Sequence, residues 1–166
     1  HAKRLLKREE PFRNAQVTYP LRNVWLGVSV EDQATADARI PFLLRTPAEV
    51  RWVSYEPALE PLDFRAVPLD DGDTLGRGLF AQGDGVGLDW VVVGGESGPG
   101  ARPFDLAWAR AVRDQCREAG VRCFFKQAGS RPTEDGRLLR LRDRKGGDLA
   151  ECPPDLRIRE FPEART

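Results

Sequence analysis

Four short segments of the chain are dense in β-branched and aromatic residues: "NVWLGVSVE" (23–31), "VRWVSYE" (50–56), "LDWVVVGGE" (88–96) and "VRCFFKQ" (121–127). Each is bounded by Pro, Gly or Asp, and each is predicted as a strand. Between the first two, Ala36, Ile40, Leu43 and Leu44 recur at helical spacing. Pro41 falls inside that stretch and is expected to kink or divide the helix, since proline removes one backbone donor and crowds the preceding turn. Between the last two, Trp108, Val112, Cys116 and Ala119 share one helical face, with Asp105 placed to cap the start and Gly120 the end. A short helix is expected after Pro57.

Strands alternating with helices imply parallel pairing through right-handed crossovers. The expected fold is α/β, a parallel (β/α) half-barrel, or partial TIM-like barrel, of about four strands. One domain is expected over 1–166: a βα core at 22–128, a loop insertion at 66–87 whose Gly- and Asp-rich part begins at residue 68, and an irregular tail at 129–166. The tail is expected to pack in part through Leu138, Leu141, Leu156 and Ile158.

Alternation across a strand places residues two apart on one face. Trp25, Gly27, Ser29 and Glu31 share a face, as do Trp52, Ser54 and Glu56, and Trp90, Val92, Gly94 and Glu96. Val24, Leu26, Val28 and Val30 are left to face the helices. Three strands thus repeat one design: tryptophan near the start, small residues in the middle, glutamate at the carboxyl end. The fourth puts Arg122, Phe124 and Lys126 in the same phase, a cation where the others carry acids. In α/β sheets and barrels that edge is where ligands bind.

The loop "GGESGPG" lets backbone amides approach an anionic group without Cβ obstruction. It is neither a phosphate loop nor a G-x-G-x-x-G fingerprint, so nucleoside triphosphate and ordinary dinucleotide binding are unsupported. Arg102 could pair with a ligand carboxylate or with a rim glutamate. The four tryptophans are expected mainly in the core.

Composition narrows the chemistry. Lys plus Arg total 26, as do Asp plus Glu, so global charge favours neither nucleic acid nor an anionic membrane. No apolar run approaches a membrane span, and a cytoplasmic protein is expected. The three cysteines, Cys116, Cys123 and Cys152, lack C-x-x-C spacing, which argues against a disulfide framework or metal knuckle. Cys116 and Cys123 are expected buried, and Cys152 as a loop thiol without a partner. The single histidine, His1, leaves no internal imidazole base. The absence of Met predicts a processed or trimmed chain. The basic stretch "RLLRLRDRK" could touch phosphates, though its neighbouring acids favour a solvated surface.

The strings "NVWLGVSVEDQATADARIPFLL", "RWVSYEPAL", "LDWVVVGGESGPGARPFDLAWARAVRDQC", "AGVRCFFKQAG" and "KGGDLAECPPDLRIREFP" resemble the C-terminal part of the phage gene-product thirty-seven/sixty-eight family, over residues 20–162. Members of that phage and bacterial family look like radical S-adenosylmethionine (SAM) proteins related to spore photoproduct lyase. The resemblance implies a three-cysteine motif for a [4Fe-4S] cluster near the N-terminus, a motif this chain lacks. Carried over by position, Ser29, Glu31, Ser54, Glu56, Gly94, Gly95 and Glu96 would hold SAM, with Arg102 beside them. Lys126 and Gln127 would lie near substrate, and Lys126 and Glu96 are the candidate catalytic groups. The chain departs from its relatives at Ala128, where an aromatic residue is usual.

The implied function is the ligand-binding C-terminal half of a radical-SAM-like protein, not catalytic alone. A missing N-terminal half or a second chain would be its partner, and any [4Fe-4S] cluster would come from that missing segment. Two alternatives stand beside it. One is a non-catalytic phage or host interaction module. The other is an enzyme using Glu31, Glu56 and Glu96 to hold Mg²⁺ or Mn²⁺.

Overall fold

A computed structural model describes residues 19–68 and 87–163. Most of the expected insertion at 66–87, and the N-terminal stretch through residue 18, lie outside the described residues. The fold is mixed α/β. In chain order its elements are β1 (Trp25–Val30), α1 (Gln33–Arg45), β2 (Val50–Tyr55), β3 (Trp90–Gly94), β4 (Phe104–Asp105), α2 (Leu106–Ala119), β5 (Arg122–Gln127), β6 (Pro132–Glu134) and β7 (Arg137–Leu138). A 3₁₀ turn at Phe64–Ala66 stands where a short helix was expected after Pro57.

The main sheet is wholly parallel, in the order β1-β2-β3-β5. Because the order advances one way without a switch, right-handed crossovers lay both helices on one face. That face carries the core: Val30, Val53, Tyr55, Val91, Val93 and Phe125 pack with Ile40, Leu43 and Leu44 of α1 and with Leu106, Val112 and Cys116 of α2. Each such side chain contributes roughly 1.5–3 kcal/mol relative to exposure. Val24, expected to face the helices, precedes the strand and is 41% exposed.

Local chemistry explains the helices. Asp32 caps α1 by accepting from Thr35 N–H at 2.7 Å, while Thr35 Oγ1 accepts from Asp32 N–H at 3.1 Å, a reciprocal box. Contrary to expectation, α1 runs through Pro41 undivided. Pro41 is buried beside Ile40 and Leu44, and that packing offsets the lost donor. Asp105 caps α2 and Gly120 closes it at φ 72°, as the sequence pattern predicted.

The tail is only partly irregular. Thr133 and Glu134 pair antiparallel with β7, and β6 runs parallel to β4. Further on, Phe125 N–H donates to Ile158 C=O at 2.8 Å and Glu160 N–H to Cys123 C=O at 3.0 Å, laying the tail along the free edge of β5. Arg110 and Arg113 of α2 both reach Asp155, at 2.8 and 2.6 Å. Leu156 is buried and Leu141 and Ile158 pack on the core, as expected. Leu138 is instead 53% exposed, because it sits in a two-residue edge strand with no layer above it. Cys152 is no free loop thiol. It is buried, its Sγ 3.7 Å from the Asp148 carbonyl oxygen.

Candidate functional site

The other face of the sheet has no helix on it among the described residues. Reading from its amino to its carboxyl end, three bands follow from strand alternation. The first is aromatic. Trp90 lies at the centre, with ring centroids 5.9 Å from Trp25, 5.6 Å from Trp52 and 5.8 Å from Phe124. Phe161 of the tail folds over Trp90 and Phe124 at 5.3 and 5.2 Å, and the Trp90 indole N–H donates to Glu160 C=O. These tryptophans are therefore not core residues. Trp25 is 40% exposed, and Trp52 and Trp90 are half-buried. A parallel sheet ordinarily buries both faces, and here only one has a helical layer.

The second band is small. Ser29 lies directly across from Ser54, and Ser54 from Val92. Gly94 continues it toward the rim, where a β-carbon would stand 3.1 Å from the Glu56 carboxyl carbon. Glycine is thus what lets the Glu56 side chain lie across β3.

The third band is charged. Glu56 Oε2 accepts from Lys126 Nζ at 2.8 Å, joining the exits of β2 and β5 across β3. Glu96 is gripped three times by Arg102, through the backbone N–H at 2.9 Å, Nε at 2.8 Å and Nη2 at 3.0 Å. Arg102 therefore takes the rim-glutamate option. Glu31 pairs with Arg39 of α1 at 3.1 Å, and Arg39 also donates to Ser29 C=O at 2.6 Å. The Glu31 charge also acts on the Arg102 guanidinium, so the two belong to one rim.

The four groups expected to converge thus divide into pairs, Glu56 with Lys126, Glu96 with Arg102 and Glu31 with Arg39. Among the described residues no three His, Cys, Asp or Glu side chains gather as a metal site. The Arg102 hydrogen bonds hold the Glu96 carboxyl down at about 2. At neutral pH it is a fixed anion, suited to holding a cation rather than to moving a proton.

Gly94 and Gly95 direct their backbone groups to neighbouring strands. Ala58 N–H donates to Gly94 C=O at 3.0 Å, Gly95 N–H to Gln127 C=O at 3.0 Å, and the Gln127 amide to Gly95 C=O at 2.9 Å. A register shift between Val93 and Gly94 sets Gly94 against Gln127, a detail no alternation rule foresees. The thiols do not form a cluster-binding set. Cys116 and Cys123 are buried in the core, and a hydrogen bond between them together with burial pushes the Cys116 thiol well up, while Cys152 is buried beside the Gly146 and Asp148 carbonyls.

One part of this edge was missed by sequence reasoning. Beyond Glu96, the loop Ser97–Pro99, the β5 exit Gly129–Ser130 and tail residues from Leu139 to Lys145 enclose a cavity of about 510 Å³. Only "GGESGPG" and the basic stretch hinted at it, and they lie far apart in sequence.

Fold and edge together define a parallel α/β domain with charge concentrated at the strand carboxyl ends. Residues 2–152 match the protein family of unknown function DUF5131, and the chain belongs to that family. No curated protein and no solved structure matches it.

Proposed function

We propose that this chain is the SAM-binding half of a radical-SAM-like protein, its sheet being a segment of an opened (β/α) barrel. The observation carrying the reading is the succession of aromatic, small and charged bands along one face of the parallel strands, with the charge at their carboxyl edge. SAM combines an aromatic base, a sulfonium, an ammonium and a carboxylate. The rim offers anions for the ammonium in Glu31, Glu56 and Glu96, cations for the carboxylate in Arg102 and Lys126, and ring faces in Trp52 and Trp90 for a base or sulfonium.

Ser29, Ser54 and Gly94 are small enough to admit a ligand between the aromatic and charged bands, whereas Gly95 is buried against Phe104 and the Ala128 backbone and serves the site only through its backbone. Bound SAM supplies radical chemistry only with a reduced iron–sulfur cluster, and Cys116, Cys123 and Cys152 are unsuited to hold one. The chain's own part in the reaction is therefore to bind and orient, with Lys126 facing substrate. A metal-dependent reading fits less well, because among the described residues the three rim glutamates do not gather into one ligand set.

Calorimetric titration with SAM tests the reading. We expect saturable binding that weakens at least ~10-fold in Glu96→Ala, a difference of ~1.4 kcal/mol. Equal binding by both proteins removes Glu96 from the site, and no binding by the wild-type chain ends the proposal. The interaction-module reading rests on a different feature, the half-exposed aromatic band. It predicts self-association or partner capture that is insensitive to SAM.

A further inference from the structure

A second site lies beside the rim, in the cavity of about 510 Å³ behind the Ser97–Pro99 loop. That volume falls inside the ~300–1,000 Å³ typical of small-molecule pockets. None of the rim carboxylates lines it. Its lining combines the apolar Pro99, Leu139 and Leu141 with the cations Arg144 and Lys145.

The walls are fastened to one another through Ser130. Its hydroxyl accepts from Gly98 N–H at 2.9 Å and donates to Arg144 C=O at 2.7 Å, and its own N–H donates to Glu96 C=O at 2.8 Å. Ala128 N–H adds a bond to Gly146 C=O at 2.7 Å. Three segments distant in sequence are thereby held in place, and a preformed cavity saves the ordering cost a ligand would otherwise meet.

The charge balance identifies the ligand. Asp143 is the acid in the lining, and its carboxylate is occupied by N–H groups of Lys145, Gly147 and Asp148 at 3.0, 2.7 and 3.0 Å. It serves the loop chiefly through these N–H groups, and the Lys145 charge acts on it without a direct ion pair. Arg144 and Lys145 are exposed, and neither side chain forms a direct ion pair with a described residue. The contrast is the smaller cavity of about 270 Å³ by α2, where Arg113, Arg117 and Arg122 are each paired with an acid. Two cations without a direct ion pair to a described residue, in a lining that also holds three apolar residues, suit a ligand with one anionic end and one flat apolar body.

We propose that this cavity binds a nucleoside monophosphate, the phosphate at Arg144 and Lys145 and the base against Pro99, Leu139 and Leu141. The guanidinium takes two phosphate oxygens and the ammonium a third, with Ser97 in the same lining.

The test is an NMR titration of the full chain with AMP, adenosine and inorganic phosphate in separate arms at one fixed salt concentration. AMP should saturate with a dissociation constant of ~0.1 mM and shift the amides of Gly98, Gly129 and Ser130, with adenosine and phosphate at least ~10-fold weaker. The double variant Arg144→Ala/Lys145→Ala, confined to exposed side chains and so expected to fold, should weaken AMP by at least ~10-fold. Absence of saturation by AMP at ~5 mM overturns the proposal. So does inorganic phosphate or adenosine binding as tightly as AMP, or a double variant that binds AMP as the parent does.

Discussion

Glu96 shows how one residue's environment sets its chemistry. Three hydrogen bonds from Arg102 favour its anionic form and hold the carboxyl at about 2 instead of 4.5. Because the folded value is the lower one, the pair stabilises the fold above pH ~4.5 and loses that contribution as pH falls toward ~2. Carboxyl-resolved NMR should place the Glu96 midpoint near 2, and Arg102→Ala should return it toward the ordinary carboxylate range. An unchanged midpoint in the variant would assign the shift to some other group. Gly27 makes a steric argument of the same kind. A β-carbon there would stand 2.3 Å from Trp52 Cε2 and 2.7 Å from Cδ2, atoms in the body of the indole rather than at a flexible end. Gly27→Ala should therefore displace Trp52 and cost ~1–3 kcal/mol in a urea melt. A loss below ~0.5 kcal/mol would show that the indole moves aside freely.

At the scale of elements, legibility followed locality. The strands, the capping of α2 by Asp105 and the Gly120 stop depend on neighbours within a few residues, so the pattern revealed them, while the equally local Asp32 box at the start of α1 went unread. The common phase of Trp25, Trp52 and Trp90 was readable for the same reason. Pairing of Glu31 with Arg39 was not, because it depends on where α1 lies against β1. Nor was the hub at Ser130, which joins residues 32 positions apart. The tail was under-read in the same way, since nothing local to Phe161 says that it will reach Trp90. Phe161 remains 56% exposed, so its two ring contacts contribute modestly. Phe161→Ala should cost ~1 kcal/mol and shift tryptophan emission to the red as Trp90 loses its cover. Emission unchanged from the parent would mean that the tail does not cover the aromatic band in solution.

For the whole molecule, two features act together. Equal totals of 26 basic and 26 acidic residues place the isoelectric point near 6.8, so long-range repulsion between copies vanishes close to neutral pH. One face of the sheet meanwhile presents an aromatic band with Trp25 and Phe161 at 40% and 56% exposure and Val24 and Leu21 beside them at 41% and 36%. Apolar surface of this kind is attractive between molecules, and charge is what ordinarily opposes it. Lowering the pH to ~4 protonates a large share of the 26 acidic residues, gives every copy a net positive charge and restores repulsion at distances up to the Debye length, ~10 Å in ~0.1 M salt. Self-association measured by sedimentation velocity should therefore peak near pH 6.8, decline by pH ~4 at low salt, and recover at pH ~4 when ~1 M salt shortens the screening length to ~3 Å. Trp25→Lys, which puts charge directly on the aromatic band, should lower association at every pH, whereas the exposed Lys145→Ala on the far side of the rim should not. Association that ignores both pH and Trp25→Lys would locate the adhesive surface elsewhere and leave the aromatic band to a ligand or partner alone.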